Sequence, residues 1–316
     1  MTEQLRSVRM ADRRRSKAVV FTEFGSPDVL RYVDVEEPHP GPGEVRIGVR
    51  AAGVNPLDVK VRRGVMEAMF PTALPHVLGM ELAGVVDEIG EGVDDWKVGD
   101  EVVAWPKNGS YREFAIADSL IRKPAKVPWE VAGAIGIAAE TAARALDLLA
   151  VAPGGTLLVH AAAGGVGSVA AQIAKTRAIN VIGTAGVANH DYLRALGVTP
   201  VTYGVGLAER VRSVAPDGVD WAFDCAGRDA LPASIELTGS PERVLTIGDR
   251  SAPEYGVSFS LMPANPRRDV VVDALAMVLE GTLQLNIERA YPLSEAAAAH
   301  GHSETGHLRG KIVLIP

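Results

Sequence analysis

Hydrophobic residues in the first part of the chain recur at every second position within short segments. Apolar and polar residues alternate within Glu44–Val54, which is the period of a half-buried antiparallel strand. Turn-forming residues such as those of His39–Gly43 separate this segment from its neighbours. The pattern predicts a β-barrel or β-sandwich with strands at Lys17–Phe24, Val29–Val35, Glu44–Val54, Leu82–Ile89, Asp100–Trp105 and Tyr111–Ile116.

The pattern changes in the second half of the chain, where continuous apolar segments alternate with segments of helical periodicity. Val166–Ala174 has apolar residues at helical spacing on one face, and Asn189 and Gly197 are placed to begin and end the next helix. This alternation is typical of βαβ units and predicts an α/β fold with a parallel sheet covered on both faces. The predicted strands are Thr156–His160, Val181–Thr184, Val219–Asp224, Val244–Gly248 and Lys311–Ile315, with further helices at Leu207–Ala215, Asp229–Leu237 and Asp269–Glu280.

Composition removes several classes of protein. The 316 residues carry 32 basic and 39 acidic side chains, and a chain of this length can bury a core without disulfide or metal staples. Cys225 is the single cysteine, which excludes an internal disulfide and a four-cysteine zinc site. No segment has the length of an apolar membrane helix or the pattern of a signal peptide, so we expect a cytoplasmic protein with no membrane partner.

The N-terminal segment Met1–Ser16 differs from the rest of the chain in charge. Its five arginines outweigh two acidic residues, whereas the remainder is acidic. We predict that residues 1–16 form a disordered basic tail, or that translation begins at Met10. The acidic remainder disfavours a nucleic-acid partner, because the phosphate backbone is itself anionic.

The segment Val159–Lys175 has the most specific pattern in the chain. An apolar strand continues into Ala161-x-x-Gly164-x-x-Gly167 and then into an amphipathic helix. Small residues allow a tight turn that approaches a pyrophosphate, whose charge the helix N-terminus stabilises. Because a strand precedes the turn and a helix follows it, we predict a dinucleotide-binding site. Its predicted contacts are Ala161, Gly164, Gly165, Val166 and Gly167.

The end of the next strand indicates which dinucleotide binds. NAD-selective sites place a carboxylate there to accept hydrogen bonds from the ribose. Here no carboxylate occurs before Asp191, so NADP(H) is favoured over NAD(H). The usual positive counter-charge is also missing, and Asn189 is equally placed to serve only as a helix cap. The remaining candidate contacts are Thr184, Gly186, Asn189, His190 and Tyr203.

Several other motifs accompany the glycine-rich turn: AAGVNPLDVKVRRG (Ala51–Gly64), LGMELAGVVDEIG (Leu78–Gly90), VGDEV (Val98–Val102), AAETAARAL (Ala138–Leu146) and the closing GHLRGKIVLIP. Together they resemble the zinc-free quinone oxidoreductase and enoyl or alkenal reductase branch of the medium-chain dehydrogenase/reductase superfamily. The resemblance implies a GroES-like β-barrel domain at residues 17–137, completed by about 282–316, and a doubly wound Rossmann NADP-binding domain at residues 138–281. It also implies a homodimer, for which Val257–Leu261 is a candidate edge segment.

The resemblance also bears on metal binding. Zinc dehydrogenases of this superfamily have a cysteine ligand where this chain has Asn55, and Gly-His-Glu where it has Gly79-Met80-Glu81. A neutral thioether is a poor zinc ligand, so no zinc or other metal is expected. Glu81 is then expected to have a structural role, and Cys225 to pack in the core rather than react. Three C-terminal histidines match no metal-binding spacing: His300, His302 and His307.

Without a metal, hydrogen-bond donors must stabilise the charge that develops on the substrate oxygen. By resemblance, Asn55 and Lys60 lie at the nicotinamide-facing rim of the first domain, and Thr141 contacts the nicotinamide. We interpret Lys60 as an oxyanion donor or proton relay, because an ammonium has three N–H donors. Binding the cofactor ribose or phosphate is its alternative role. Asp58 is expected to stabilise the local turn, with a neighbouring arginine as a possible ion-pair partner.

Position in the predicted sheet identifies further candidates. Ligands bind beyond the carboxyl ends of parallel strands, which predicts backbone contacts to the cofactor from Ala226, Gly227, Ile247 and Gly248. Candidates for an apolar substrate pocket, each equally suited to core packing, are Met66, Trp105, Tyr255 and Phe259. Arg309 and Lys311, at the start of the last strand, are expected on the surface.

These features predict an NADPH-dependent, metal-independent oxidoreductase that transfers a hydride to an α,β-unsaturated carbonyl compound or a quinone. Such substrates have their own electron sink, which simple alcohols lack. An enoyl reductase dedicated to a biosynthetic pathway is a narrower alternative that the sequence does not separate. Two other classes stay open: a non-catalytic NADPH-binding sensor or interaction protein, and a zinc alcohol dehydrogenase.

Overall fold

The structure, a computed structural model, describes residues 14–262 and 266–316. The chain divides into two compact units. The first unit takes the described part of Met1–Gly136 together with Ile287–Gly306 and Lys311–Pro316, and the second takes Ile137–Asn286 and His307–Gly310. Most of the predicted tail lies outside the described residues, but its last two residues, Arg15 and Ser16, belong to the first strand.

The first unit is mainly β-structure. Its N-terminal part contains β1 (Arg15–Phe21), β2 (Arg31–Glu36), β3 (Val45–Val54), α1 (Pro56–Arg62), β4 (His76–Val77), β5 (Leu82–Ile89), β6 (Glu101–Trp105), β7 (Phe114–Ala117), β8 (Ser119–Arg122) and the start of α2 (Trp129–Leu148). The predicted strand Tyr111–Ile116 begins later than expected, at Phe114.

The second unit alternates strands and helices, as the apolar pattern predicts. After α2 it contains β9 (Thr156–His160), α3 (Gly165–Thr176), β10 (Asn180–Thr184), α4 (His190–Ala195), β11 (Thr199–Val201), α5 (Leu207–Val214), β12 (Trp221–Asp224), α6 (Leu231–Thr238), β13 (Val244–Thr246), β14 (Ser258–Phe259) and α7 (Arg268–Glu280). The strands form a parallel sheet in the order β11-β10-β9-β12-β13-β14. This order brings the carboxyl ends of β9, β10 and β12 to one edge.

The chain then returns to the first unit with β15 (Ile287–Pro292), α8 (Ala296–Glu304) and β16 (Lys311–Ile315). β16 pairs antiparallel with β3, with Ile312 opposite Val54, within a sheet of order β15-β16-β3-β5-β6-β8. A separate three-stranded sheet has the order β2-β1-β4. The pairing of β16 with β3 places Lys311 beside the residue that follows β3.

The central strand β3 is more buried than its alternation predicts. Only Arg50 is exposed, because β16, β5 and β7 all pair with β3. Arg46 is buried and forms ion pairs with Glu88, at 2.8 Å, and with Asp87. The alternation therefore identified the strand, but on its polar face Arg46 is covered by ion pairs, and only Arg50 reaches solvent. Within the residues that the structure describes, no helix has the length and apolar character needed to cross a membrane.

Candidate active site

The predicted dinucleotide turn follows the carboxyl end of β9. Ala161 has a left-handed backbone with a φ of 53°, which reverses the chain directly after the strand. Gly164 precedes α3 in an extended conformation, and no side chain caps the helix. The first N–H groups of α3 have no preceding helical carbonyl to bond, so this turn presents backbone donors suited to an anion.

Gly167 shows why the turn requires glycine. A Cβ at this position would lie 2.4 Å from the Ala161 carbonyl oxygen and 2.9 Å from Ala162 Cα. Thr184 is buried, and its hydroxyl accepts a hydrogen bond of 3.2 Å from the Ala161 N–H, which holds the turn against β10. The backbone at this turn is therefore too closely packed for any side chain at position 167.

Several predicted cofactor contacts lie together at the end of β10. The Tyr203 hydroxyl is 3.9 Å from the position that a Cβ on Gly186 would occupy. Asn189 stands at the N-cap of α4, as predicted, but makes no capping hydrogen bond. Its side-chain oxygen instead accepts a hydrogen bond of 2.9 Å from Arg309 Nε. Arg309 is half-buried, so it keeps part of the exposure that the sequence predicts, while its guanidinium is held against this strand end.

A second group of predicted contacts follows β12 and β13. The Asp224 carboxylate accepts hydrogen bonds from the N–H groups of Ala226, at 2.8 Å, and Gly227, at 3.1 Å. Thr246 donates its hydroxyl to the other oxygen at 2.7 Å. A Cβ on Gly227 would lie 2.5 Å from the Gly248 carbonyl carbon, so these two turns pack backbone against backbone. The N–H groups of Ala226 and Gly227 already donate to Asp224. The backbone groups of these two residues that suit a ligand are therefore their carbonyl oxygens, which would accept hydrogen bonds from it.

The other predicted residues of the second unit have varied surroundings. Ile247 donates its N–H to the Asp224 carbonyl oxygen at 3.1 Å, and Thr141 is buried within α2. His190 begins α4, Tyr255 is exposed, and Phe259 packs against the apolar core of this unit. Burial raises the pKa of the Cys225 thiol well above its usual value, so the thiol stays protonated at neutral pH.

Asn55 and Lys60 lie in the first unit, around α1. Asn55 is the N-cap residue, and its N–H donates to the Asp58 carboxylate at 2.8 Å. Lys60 lies in the last turn of α1 and is half-buried. Of the predicted pocket residues in this unit, Met66 is buried and Trp105 is half-buried. The Trp105 indole nitrogen is buried without a hydrogen-bond partner among the described residues.

Lys311 forms a buried cluster with Asn55 and Glu81. It is only 5% exposed, so the expectation that it lies on the surface is wrong, and the cause is the pairing of β16 with β3. Its ammonium donates to Asn55 Oδ1 and, at 2.9 Å, to Glu81 Oε1. Asn55 Nδ2 donates to the same Glu81 oxygen at 2.9 Å. Since an ammonium only donates and a carboxylate only accepts, these bonds fix the orientation of the Asn55 amide.

The Asn55–Glu81–Lys311 cluster does not fit a zinc ion. By resemblance, Asn55 and Met80 stand at ligand positions, and neither supplies the thiolate or imidazole that zinc prefers. The Asn55 oxygen already accepts from an ammonium whose positive charge would repel a metal cation. Within residues 14–262 and 266–316, no group of three or more His, Cys, Asp or Glu side chains is placed to hold a metal.

Asp58 lies beside this cluster as a buried carboxyl. Burial raises the pKa of Asp58 to about 6, while the hydrogen bond from the Asn55 N–H and the charge of Lys311 oppose the rise. The Gly79 N–H donates a second backbone hydrogen bond at 3.2 Å. Asp58 therefore ties the start of α1 to the segment before β5. Its carboxyl bonds to these backbone groups and to the Tyr111 side chain, whereas the sequence allowed a neighbouring arginine as its partner.

His300 belongs to a hydrogen-bonded chain in the same unit. Its Nε2 lies 3.2 Å from the Tyr111 hydroxyl oxygen, and its Nδ1 lies 3.3 Å from Arg62 Nη1. Because an arginine only donates, Nδ1 accepts and Nε2 carries the proton. Burial and, to a smaller extent, the positive charge of Arg62 together lower the pKa of His300 to about 3. Arg62 pairs with Glu304 at 2.6 Å.

Known proteins resemble this chain over nearly its whole length. The family described as "Alcohol dehydrogenase GroES-like domain" matches residues 41–154, and "Zinc-binding dehydrogenase" matches residues 196–314. A quinone oxidoreductase of Pseudomonas aeruginosa is 31% identical over 328 residues and covers 95% of this chain and 100% of that protein. The polyketide synthase GfsB of Streptomyces halstedii is 38% identical over 292 residues, which is 86% of this chain and 5% of that protein.

A solved structure shows the same architecture. The Escherichia coli quinone oxidoreductase complexed with NADPH has a TM-score of 0.83 at 25% identity, covering 95% of this chain and 100% of that chain. The GroES-like and Rossmann architectures predicted from the sequence are confirmed, and they are those of the medium-chain dehydrogenase/reductase superfamily. Within that superfamily, the chain belongs to the quinone oxidoreductase family.

Proposed function

We propose that this protein is an NADPH-dependent oxidoreductase that reduces a quinone or an α,β-unsaturated carbonyl compound without a metal ion. The observation that carries the proposal is the Lys311 ammonium, which bonds Asn55 and Glu81 where zinc relatives place metal ligands. The relatives named quinone oxidoreductase, one of them in complex with NADPH, support the same class of reaction.

The dinucleotide turn would hold the cofactor. NADPH, when bound, supplies the hydride. The N–H groups that open α3 would stabilise the pyrophosphate, and the narrow turn at Gly167 would allow it to approach the backbone. The carbonyl oxygens of Ala226 and Gly227 would accept hydrogen bonds from the cofactor, because the Asp224 carboxylate holds the N–H groups of both residues.

The chemistry requires a donor where negative charge develops on the substrate oxygen. Lys60 is our candidate for that donor or for the proton source, because its ammonium carries three N–H groups. The Asn55 amide is oriented by Lys311 and Glu81, so we assign Asn55 a part in positioning this region. Quinones and enones accept a hydride because their own carbonyl takes up the charge.

A substrate panel tests the proposal. Purified protein is mixed with NADPH and a benzoquinone, a 2-alkenal or cyclohexenone, and NADPH oxidation is followed by absorbance. We expect turnover with at least one of these compounds, no oxidation of simple alcohols with NADP⁺, and no effect of a zinc chelator. NADPH binding without any turnover would instead support the non-catalytic sensor. Stoichiometric zinc in metal analysis, together with alcohol oxidation, would support the zinc dehydrogenase.

A dedicated enoyl reductase is the second candidate. The match to a segment of a polyketide synthase favours it, because that relative works in a biosynthetic sequence. The two functions are distinguished by comparing kcat/KM for an enoyl thioester with kcat/KM for a free quinone. A kcat/KM for the thioester at least about 100-fold above that for benzoquinone would assign the narrower function, and the reverse ratio would assign the quinone reductase.

We also propose a homodimer in the cytoplasm, with a small-molecule substrate and no nucleic-acid partner. β14 is an edge strand of the parallel sheet and lies within the predicted segment Val257–Leu261. An unpaired edge can extend a sheet across two subunits. Light scattering coupled to size-exclusion chromatography measures the oligomeric state, and a monomeric mass would contradict the dimer.

A further inference from the structure

We propose that Arg309 selects NADPH over NADH by binding the 2′-phosphate beside the end of β10. This inference rests on the proposed function, since it concerns the same cofactor. Residues 184–190 contain no lysine or arginine, so a phosphate at this strand end needs a cation from elsewhere in the chain. Arg309 is 120 residues away from Asn189 in sequence and bonds to it directly.

Two contacts fix the guanidinium at the end of β10. Arg309 Nε donates to Asn189 Oδ1 at 2.9 Å, and Nη2 donates to the Ala188 carbonyl oxygen at 3.2 Å. The guanidinium also lies over the Tyr192 ring, 5.3 Å from its centroid. These contacts set both the position and the plane of the group. A guanidinium held in one plane matches the paired oxygens of a phosphate better than a mobile lysine does.

The backbone around Arg309 is anchored to the dinucleotide turn. The Gly310 N–H donates to the Ala163 carbonyl oxygen at 2.8 Å, and Asn286 Nδ2 donates to the Arg309 carbonyl oxygen at 2.7 Å. Gly310 has a φ of 79°, which favours glycine at this point. Arg309 therefore lies between the turn that would bind the pyrophosphate and the strand end that receives the adenosine ribose in Rossmann domains.

The neighbouring charged residues are engaged elsewhere. Asp191 is 98% exposed and paired with Arg194 at 2.6 Å, within the surface of α4. Arg210 donates to carbonyl oxygens of the loop after β11, those of Thr202, Tyr203, Gly204 and Val205. Unlike Arg194 and Arg210, Arg309 bonds to the end of β10, and its neighbour Gly310 bonds to the dinucleotide turn.

Isothermal titration calorimetry on the full-length protein tests the assignment. Dissociation constants for NADPH and NADH are compared in the parent, in Arg309→Gln and in the control Arg194→Gln. We expect Arg309→Gln to weaken NADPH about 10- to 100-fold, because a charge-assisted bond to phosphate is lost, and to change NADH less than about threefold. The control should leave both affinities within about twofold. In the parent, 2′,5′-ADP should bind more tightly than 5′-AMP, and this preference should disappear in Arg309→Gln.

Unchanged NADPH affinity in Arg309→Gln, or equal weakening of NADPH and NADH, would overturn the inference and leave Arg309 as a structural clamp. Failure of the parent to bind either dinucleotide is a different result, because it would refute the proposed function as well. If Arg309→Gln does not fold, Arg309→Lys replaces it. The lysine variant should weaken NADPH severalfold with NADH unchanged, and parent-like affinity for both would count against the assignment.

Discussion

The dinucleotide turn and the Asn55–Glu81–Lys311 cluster are built in opposite ways. The turn is one continuous segment whose shape depends on backbone, with Ala161 in a left-handed conformation and Gly167 without room for a Cβ. The cluster joins three distant parts of the chain through side chains, and its members are held by charge. A change of shape should therefore damage the turn, whereas a change of charge should damage the cluster.

The two regions should also fail differently. A substitution in the turn removes a ligand-binding surface, so its main effect is expected on cofactor affinity. A substitution in the cluster leaves a buried charge without its partner, so its main effect is expected on the free energy of unfolding. Measuring both quantities on each variant tests whether the contrast holds.

Gly167→Val should have the largest effect. The added Cβ would lie 2.4 Å from the Ala161 carbonyl oxygen, so the turn must open and its surface for the pyrophosphate is lost. We expect calorimetric NADPH binding to fall at least about 100-fold, with circular dichroism reporting the fold. Gly301→Val is the matched control, because a Cβ at that position has no atom within 4 Å apart from those of its own turn of helix. Parent-like affinity in Gly167→Val would refute the turn assignment.

Lys311→Met should destabilise the protein most among the cluster variants. It leaves the Glu81 carboxylate buried without its cation, which typically costs about 3–5 kcal/mol. Urea unfolding measures the loss, and Lys311→Met combined with Glu81→Gln should recover more than half of it. Arg194→Met, which breaks an exposed ion pair, should cost no more than about 1 kcal/mol. Equal losses in the single and double variants would show that charge does not hold the cluster.

Lys60→Met separates chemistry from cofactor binding. If Lys60 donates to the substrate oxygen, we expect kcat with an enone or quinone to fall about 10²- to 10³-fold. NADPH affinity should change less than about twofold. Lys126→Met, at an exposed position of the same unit, should alter neither quantity. A parallel loss of NADPH affinity would assign Lys60 to the cofactor ribose or phosphate instead.

Local patterns were sufficient for the type of structure in each unit, β-rich in the first and α/β in the second, because each unit repeats a simple rule. The parallel sheet of the second unit follows from apolar strands that alternate with helices, and β9, α3 and β10 occur where that alternation predicts them. The alternation in β3 correctly identified a strand but not its burial, because β16 from the far end of the chain covers it. Pairing between distant strands leaves no local signal.

The same limit explains which site residues sequence reasoning missed. The turn was predictable because a close backbone approach restricts residue types at fixed spacing. Lys311 was predicted to lie on the surface, and Arg309 was given no role, because charged residues at a strand start are usually exposed. One signal was available: Glu81 was given a structural role with no metal expected beside it, and a carboxylate that becomes buried requires a counter-charge. The chain supplies Lys311 from 230 residues away.

The smallest predicted effect is the pH dependence of stability that comes from Asp58. The charges of Lys311 and Glu81 in the Asn55–Glu81–Lys311 cluster shift the pKa of this carboxyl. Burial raises the pKa of Asp58 to about 6 from an ordinary value near 3.8. The folded protein therefore binds a proton that the unfolded chain releases between about pH 4 and pH 6. Stability from this group is complete below about pH 4 and is lost as the pH rises to about 6, by no more than about 3 kcal/mol.

Urea unfolding of the parent and of Asp58→Asn at several pH values isolates this contribution. The difference in unfolding free energy, parent minus variant, should decrease from pH 4.5 to pH 6.5 and stay constant above, because asparagine does not titrate. Tyr111→Phe should move the transition upward, since hydrogen bonding from Tyr111 lowers the pKa of Asp58. A difference that is independent of pH would mean that the cluster and the backbone donors Asn55 and Gly79 hold Asp58 ionised throughout, and that charge outweighs burial at this site.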